Sequence, residues 1–108
     1  MQQLPWPTGE VNFEQIVSLD GYDYIMQGLW NVRSSSWSVS LYTKTDLQEI
    51  VSGKRLDIGV NILNNAINPN RPDGYIVVTP NDSDIKLITK YNMGDEVNLV
   101  YIKDNEIQ

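Results

Sequence analysis

Short segments of alternating apolar and polar residues, separated by turn-forming residues, run through most of this 108-residue chain. The clearest pair flanks Asp20-Gly21, where the more apolar residues occupy every second position in 13–19 and in 22–26. A period of two places alternate side chains on the same face of a β-strand. Asp-Gly between two such segments predicts a two-residue hairpin, because a type I′ turn requires positive φ at both central residues. The chain is therefore expected to fold as antiparallel strands.

The same pattern continues beyond this hairpin, with turn signals about every eight to twelve residues. Gly28 interrupts the second strand, which predicts a bulge or the close approach of another group. Residues 45–52 fit either a strand or a short helix, because Asp46 and Glu49 imitate a capping box. We favour a strand at 49–52, preceded by a turn at 44–46, since the flanking segments are β. Alternation or continuous apolar character predicts the remaining strands at 37–43, 55–63, 75–79, 85–89 and 97–102.

Seven or eight short strands of this kind predict a single all-β domain, either a small antiparallel β-barrel or a sandwich. We assign this domain to 11–103, with an extended N-terminal arm at 1–10 and a polar tail at 104–108. The prolines at positions 5 and 7 hold the residues before them extended. Trp6 between them therefore either folds back as a lid on the core or reaches a neighbouring subunit.

Composition limits the chemistry that this chain can perform. It contains no His and no Cys, which excludes Ser-His-Asp and Cys-His nucleophilic sites and ordinary zinc sites. The net charge of −6 argues against wrapping nucleic acid or binding anionic membranes. No apolar segment approaches the roughly 20 residues of a spanning helix, and no signal peptide is recognisable at the start. We predict a protein with no enzymatic activity, no cofactor and no metal.

Two polar clusters could still suggest catalysis or cation binding. Ser34, Ser35 and Ser36 form a run, but no base is available to activate them, so we interpret the run as a turn. Asp82 and Asp84 could begin an oxygen-lined cation site, yet they lack the glycine and the final glutamate of a calcium loop. A solvated turn is the favoured interpretation, and cation binding there stays an open question. A paired-carboxylate hydrolase is disfavoured because so small a domain rarely provides a deep cleft.

The order of these residues resembles the small plug-type baseplate proteins of contractile-tailed bacteriophages. In that family a strand ends in Leu-Asp-Gly, a Tyr-bearing strand follows and ends in Asn, and a Trp opens the next strand. The matching residues here are Leu19-Asp20-Gly21, Tyr24, Asn31 and Trp37. Later matches are Gly53-Lys54-Arg55-Leu56, the run from Pro72 to Val78, and Val97, Leu99, Tyr101 and Ile102. Together these segments span most of the chain.

The resemblance implies a structural component of a contractile phage tail, assembled in the host cytoplasm and carried in the virion baseplate. Such a subunit would join the inner tube to the hub or spike region through protein contacts. Its partners would be other tail and baseplate proteins and neighbouring copies in a ring, with no specific nucleic acid and no membrane. The alternative function is a carbohydrate- or peptide-binding β module, which would display exposed aromatic residues on one sheet face.

Candidate interface residues come from two features of the sequence. Ser38, Ser40 and Tyr42 alternate with the apolar Trp37, Val39 and Leu41, so they should form an outward face without charge. Such a face is unusual for contact with water alone and suits one covered by another subunit. The arm and the Asn- and Pro-rich loop supply further candidates by position and residue type, namely Trp6, Asn68, Asn70 and Arg71.

Overall fold

Two antiparallel sheets form the fold in the computed structural model, which describes residues 2–7, 11–64, 66–89 and 92–103. One sheet has three strands in the order β1-β7-β6, and the other has four strands in the order β2-β3-β4-β5. The strands are β1 (Gln2–Gln3), β2 (Asn12–Leu19), β3 (Tyr22–Asn31), β4 (Ser36–Thr43), β5 (Glu49–Arg55), β6 (Tyr75–Pro80) and β7 (Val97–Ile102). The all-β prediction is confirmed, and of its two alternatives the architecture is the sandwich and not the closed barrel.

The four-stranded sheet is a meander whose first turn has the predicted geometry. Asp20 and Gly21 have φ values of 55° and 85°, and Leu19 pairs with Tyr22 across them. The ambiguous segment after β4 is a strand, β5, and not a helix. Its ladder with β4 shifts register around Ser40 and Gly53, where Gly53 has a φ of 61°.

The core lies between the sheets and is built from the side chains that alternation placed inward. The predicted core residues Trp37, Val39 and Leu41 are at most 1 % exposed, which confirms that part of the prediction. The main contributors from the four-stranded sheet are Val17, Leu19, Tyr24, Met26, Trp37, Val39, Leu41, Ile50 and Val51. The three-stranded sheet contributes Ile76, Val78, Val97, Leu99 and Tyr101.

The N-terminal arm folds back into the gap between the sheets. The Leu4 N–H donates to the Leu99 carbonyl at 2.8 Å, and the Leu4 side chain is fully buried. The Trp6 ring lies 4.7 Å from the Phe13 ring and 5.0 Å from the Trp37 ring, both in edge-to-face geometry. Of the two alternatives for Trp6, the structure therefore shows the lid on the core. Strand β1, which no sequence pattern indicated, pairs with β7.

Two predicted strands are wrong, and in both places the alternating pattern lacks a partner strand. After β5 the chain runs irregularly through 56–63, apart from a parallel bridge between Ile58 and Val78. Gly59, with a φ of 79°, turns the backbone so that its N–H meets the Val78 carbonyl, and the N–H of Ile62 reaches the Ile76 carbonyl. Residues 85–89 likewise form no ladder.

Smaller points concern the turn after β3, Gly28 within β3 and the chain ends. The turn after β3 covers 32–35, and Ser36 belongs to β4, not to the turn. Gly28 marks a close approach and not a bulge, because the Phe13 ring occupies the space a Cβ would need while the register stays unbroken.

The predicted tail at 104–108 and part of the arm lie outside the described residues. Within the described ranges, no helix is long and apolar enough to cross a membrane.

Candidate interface surfaces

The outer face of the four-stranded sheet brings Ser38, Ser40 and Tyr42 together, as alternation predicted. Strand register places Tyr42 beside Ile25 on β3, and Ile25 beside Ile16 on β2. These three side chains form an apolar stripe across the sheet, with Ile16 at its open end 56 % exposed. The stripe was not predicted, although Ile16 is the apolar residue among the otherwise polar outward positions of β2.

The two serines stand below this stripe and differ in what they contact. Ser38 pairs with Leu29, which is half exposed on the same face. The Ser40 hydroxyl accepts the N–H of Gly53 at 2.9 Å and so supports the irregular ladder between β4 and β5. The uncharged centre of the face is bordered by charged residues, among them Glu14 on β2 and Arg55 on β5. Ser38 is therefore the cleaner probe of an interface, because replacing Ser40 also removes a backbone contact.

The loop before β6 holds the other predicted interface residues in a hydrogen-bonded network. The Asn68 Nδ2 donates to the Glu49 carbonyl at 3.1 Å, and the Asn70 Nδ2 donates to the Gln48 Oε1 at 2.9 Å. These bonds fasten the loop to β5 and to the turn before it. The network leaves Ile67, at the tip of the loop, 95 % exposed.

Arg71 and Tyr24 fasten the same loop from its other side. The Arg71 Nη1 donates to the Leu63 carbonyl at 3.0 Å, and the Tyr24 hydroxyl donates to the Asn70 carbonyl at 3.0 Å. Asn68, Asn70 and Arg71 therefore have a structural explanation in this chain, and their role in an interface stays a prediction. Trp6 lies apart from both groups, with 8 % of its surface exposed.

An acidic cleft of about 440 Å³ opens at one end of the sandwich, between the β2–β3 turn, the β4–β5 turn and residues 69–73. Four carboxylates line it, those of Asp20, Asp23, Asp46 and Asp73, with Arg71 as the basic residue. Burial raises the pKa of Tyr24 in its wall, and the negative charge of Asp20 raises it further. The tyrosine therefore stays a neutral hydrogen-bond donor at physiological pH.

The two polar clusters lie at turns, although Ser36 is already the first residue of β4. The Ser34 and Ser36 hydroxyls are hydrogen-bonded to each other at 2.6 Å, and Asn31 accepts the N–H of Arg33 at 3.0 Å. Asp82 accepts the N–H of Asp84 at 2.9 Å, which is the geometry of an Asx turn. Among the described residues, no group of three or more His, Cys, Asp or Glu side chains could hold a metal ion.

Exposed aromatic residues do not gather on one sheet face in the described part of the chain. Tyr22, 71 % exposed, belongs to the acidic cleft, and Tyr75, 43 % exposed, belongs to the three-stranded sheet. Tyr42 lies on the outer face of the other sheet. A flat aromatic platform of the kind expected for a sugar-binding module is therefore not formed by these residues.

Comparison with known proteins identifies a family that matches nearly the whole chain. A family model described as "Cyanophage baseplate Pam3 plug gp18" matches residues 1–105. No curated protein matches the chain.

Proposed function

This chain belongs to the family of the cyanophage baseplate plug, and we propose that it is a structural subunit that joins the inner tube of a contractile tail to the hub or spike region. Membership of a baseplate plug family indicates a virion tail component that contacts other baseplate proteins and suggests a protein that is not an enzyme. The tube-to-hub position, the presence of several copies in a ring and assembly in the host cytoplasm are parts of the proposal.

The observation that carries this proposal is the outer face of the four-stranded sheet. Its centre combines the stripe of Ile16, Ile25 and Tyr42 with the uncharged Ser38 and the half-exposed Leu29. Interfaces have an apolar, charge-poor centre with polar residues at the rim, and this face has Glu14, Glu49 and Arg55 at its margins. A face of this composition supports contact with another protein subunit.

Exposed residues at the loop tip add a second contact region. Ile67 is presented on a loop that side-chain hydrogen bonds from Asn68, Asn70, Arg71 and Tyr24 hold in place. A loop that is already held in place loses little conformational entropy when a partner covers it. Asn68, Asn70 and Arg71 then act by positioning Ile67 as well as by any contact of their own.

Binding to the tube, hub and spike proteins encoded with this chain tests the proposal directly. We expect the tagged chain to retain tube or hub protein in a pull-down, and Ser38→Lys to lower the retained amount because a charge enters the centre of the face. Ser83→Lys, which adds the same charge in an exposed turn, is the matched control. Retention of none of these proteins by the wild-type chain would refute the proposed function.

A further inference from the structure

Strand β2 is an edge of the four-stranded sheet, and half of its backbone groups face away from β3. The N–H of Trp30 donates to the Val11 carbonyl at 2.9 Å, so the odd-numbered residues of this strand bond to β3. The N–H and C=O groups of the even-numbered residues therefore point outward. The Ser18 carbonyl confirms this orientation, since it accepts the side-chain amide of Gln2 at 2.8 Å. The outward groups of Asn12, Glu14 and Ile16 have no hydrogen-bond partner among the described residues.

Among the described residues, β2 lacks most of the features that block a further strand, although it carries the charged Glu14 and its Ser18 carbonyl is occupied by Gln2. Edge strands of monomeric proteins are usually protected by Lys, Pro, a bulge or short length. Strand β2 runs for eight residues in unbroken register and contains neither Lys nor Pro. The other long edges are protected in the described structure: β5 has shifted register, and β6 is bonded along its outer side by Gly59 and Ile62.

Residues 85–89 form no ladder, yet some of their backbone groups are also without a partner among the described residues. The odd-numbered residues are bonded within the chain: the Ile85 N–H donates to the Asp82 carbonyl, the Leu87 carbonyl accepts the Asn92 side-chain amide at 2.9 Å, and the Thr89 carbonyl accepts the Trp37 indole N–H. The alternate residues, Lys86 and Ile88, have no backbone partner among the described residues. The backbone groups of Lys86 and Ile88 are therefore available to a partner strand, although 85–89 form no ladder within their own chain.

The β2 edge and residues 86–88 complement each other in charge and in side-chain type. In an antiparallel pairing that places Lys86 opposite Glu14, Leu87 falls opposite Phe13 and Ile88 opposite Asn12. Opposite charges and aromatic–aliphatic pairs are both favourable across strands. Lys86 is exposed, Leu87 is 74 % exposed and Phe13 is only partly buried, so these side chains have surface left to cover.

We propose that residues 86–88 of one copy add as a short strand to the β2 edge of a second copy, with Lys86 opposite Glu14. Because the two surfaces differ, the contact is head-to-tail, and successive contacts close into a ring when the rotation between copies permits. This inference rests on the proposed presence of several copies in one assembly, and it names the contact between them.

Cysteine cross-linking tests the register, since the chain has no native cysteine. A hydrogen-bonded antiparallel pair has a Cα separation of about 5.5 Å, which a disulfide can span. Mixing Glu14→Cys with Lys86→Cys under mild oxidation should yield the mixed disulfide dimer. Glu14→Cys mixed with Ser83→Cys is the control and should yield none. Equal cross-linking in the two mixtures, or none in the first, would overturn the proposal.

A proline substitution tests the backbone contact separately from the side chains. Glu14→Pro removes an outward N–H and leaves the ladder to β3 in place, because proline is tolerated on the open side of an edge strand. We expect Glu14→Pro to abolish self-association in analytical ultracentrifugation while circular dichroism shows an intact fold. Ser83→Pro, at a turn position that favours proline, should associate like the wild type. A wild-type chain that stays monomeric at every concentration would refute the contact.

Exchanging the charges of Glu14 and Lys86 tests the pairing of these two side chains. Glu14→Lys and Lys86→Glu should each weaken self-association by about fivefold, because like charges then face each other, and the double variant should recover it. These measurements use the purified chain alone, so loss of tube or hub binding does not enter them. A chain that cross-links as expected but binds no tail protein would contradict the proposed function and leave this contact standing.

Discussion

The Tyr101 hydroxyl on β7 donates a hydrogen bond of 2.5 Å to the Asp20 carboxylate in the β2–β3 turn. The two residues belong to different sheets, so this bond joins the sheets at the end where the acidic cleft opens. The same hydroxyl accepts the N–H of Gly74 at 2.9 Å and so also fixes the start of β6. Tyr101 is fully buried, which makes its hydroxyl the shared partner of three chain segments.

Replacing Tyr101 by Phe should lower the free energy of unfolding by about 1–3 kcal/mol, because the buried Gly74 N–H loses its acceptor. Urea denaturation followed by tryptophan fluorescence measures this change. Tyr22→Phe is the matched control, since Tyr22 is 71 % exposed, and it should change stability by less than about 0.5 kcal/mol. Equal effects of the two variants would show that the Tyr101 hydroxyl does not join the sheets.

Alkaline pH should destabilise the fold through the same residue. Burial raises the pKa of Tyr101 well above its usual value, and the hydrogen bond to Asp20 raises it further. Above about pH 10 the unfolded chain therefore loses the phenolic proton while the folded chain keeps it, so stability falls as pH rises. Below about pH 10 both states are protonated and the contribution is complete.

Urea midpoints at pH 8, 10 and 11 would measure this dependence. Tyr101→Phe should have a shallower decline above pH 10 than the wild type. Some decline should persist in the variant, because burial and nearby carboxylates also raise the pKa of Tyr24. Parallel pH profiles for the two proteins would contradict the assignment to Tyr101.

Trp6 should matter more for stability than its place on an arm suggests. Trp6→Ala removes a ring that contacts both Phe13 and Trp37, and we expect a loss of about 3–5 kcal/mol. Ile67→Ala, at a site 95 % exposed, should cost less than about 0.5 kcal/mol. Thermal unfolding of both variants makes the comparison, and a small effect at Trp6 would place its ring outside the core.

Gly28 and Phe13 should be coupled. The Phe13 ring fills the space above Gly28, so Gly28→Ala should cost about 1–3 kcal/mol through overpacking. A smaller side chain at position 13 gives the new methyl group room. Gly28→Ala should therefore cost less in a Phe13→Leu background than in the wild type, as a double-mutant cycle would show. Additive effects would indicate that the two residues act independently.

The sequence predicted the parts of the fold in which local pattern and pairing agree. Alternation around Asp20-Gly21 predicted β2 and β3, because a two-residue turn fixes which strand is the neighbour, and alternation from Trp37 predicted β4 after the turn at 32–35. The same alternation in 55–63 and 85–89 did not indicate which strand would pair with these segments. In the first segment, Gly59 and Ile62 bond individually to β6 without a ladder, an arrangement that no local pattern marks.

The candidate surfaces were predicted in part for a similar reason. Alternation predicted that Ser38 and Tyr42 share one face, because the face on which a strand's side chain lies depends only on whether its position is odd or even. The stripe that joins Tyr42 to Ile25 and Ile16 depends on register across three strands, which the sequence of one strand does not contain. For Asn68, residue type suggested a contact, but the structure shows a bond to the Glu49 carbonyl within the chain.

Pairing of β1 with β7 has a consequence for the time at which this fold can form during synthesis. Gln2 pairs with Tyr101, and Leu4 with its N–H bonded to Leu99 fills the gap between the sheets. The meander of β2 to β5 can form from neighbouring segments, and Trp6 can pack on its Phe13 and Trp37. The backbone of β1 and the N–H of Leu4, by contrast, have no β7 partner until β7 has been made, and translation adds only about 5–20 residues per second. Closure of the sandwich by β1 therefore cannot precede the synthesis of β7, which makes it a late step in folding.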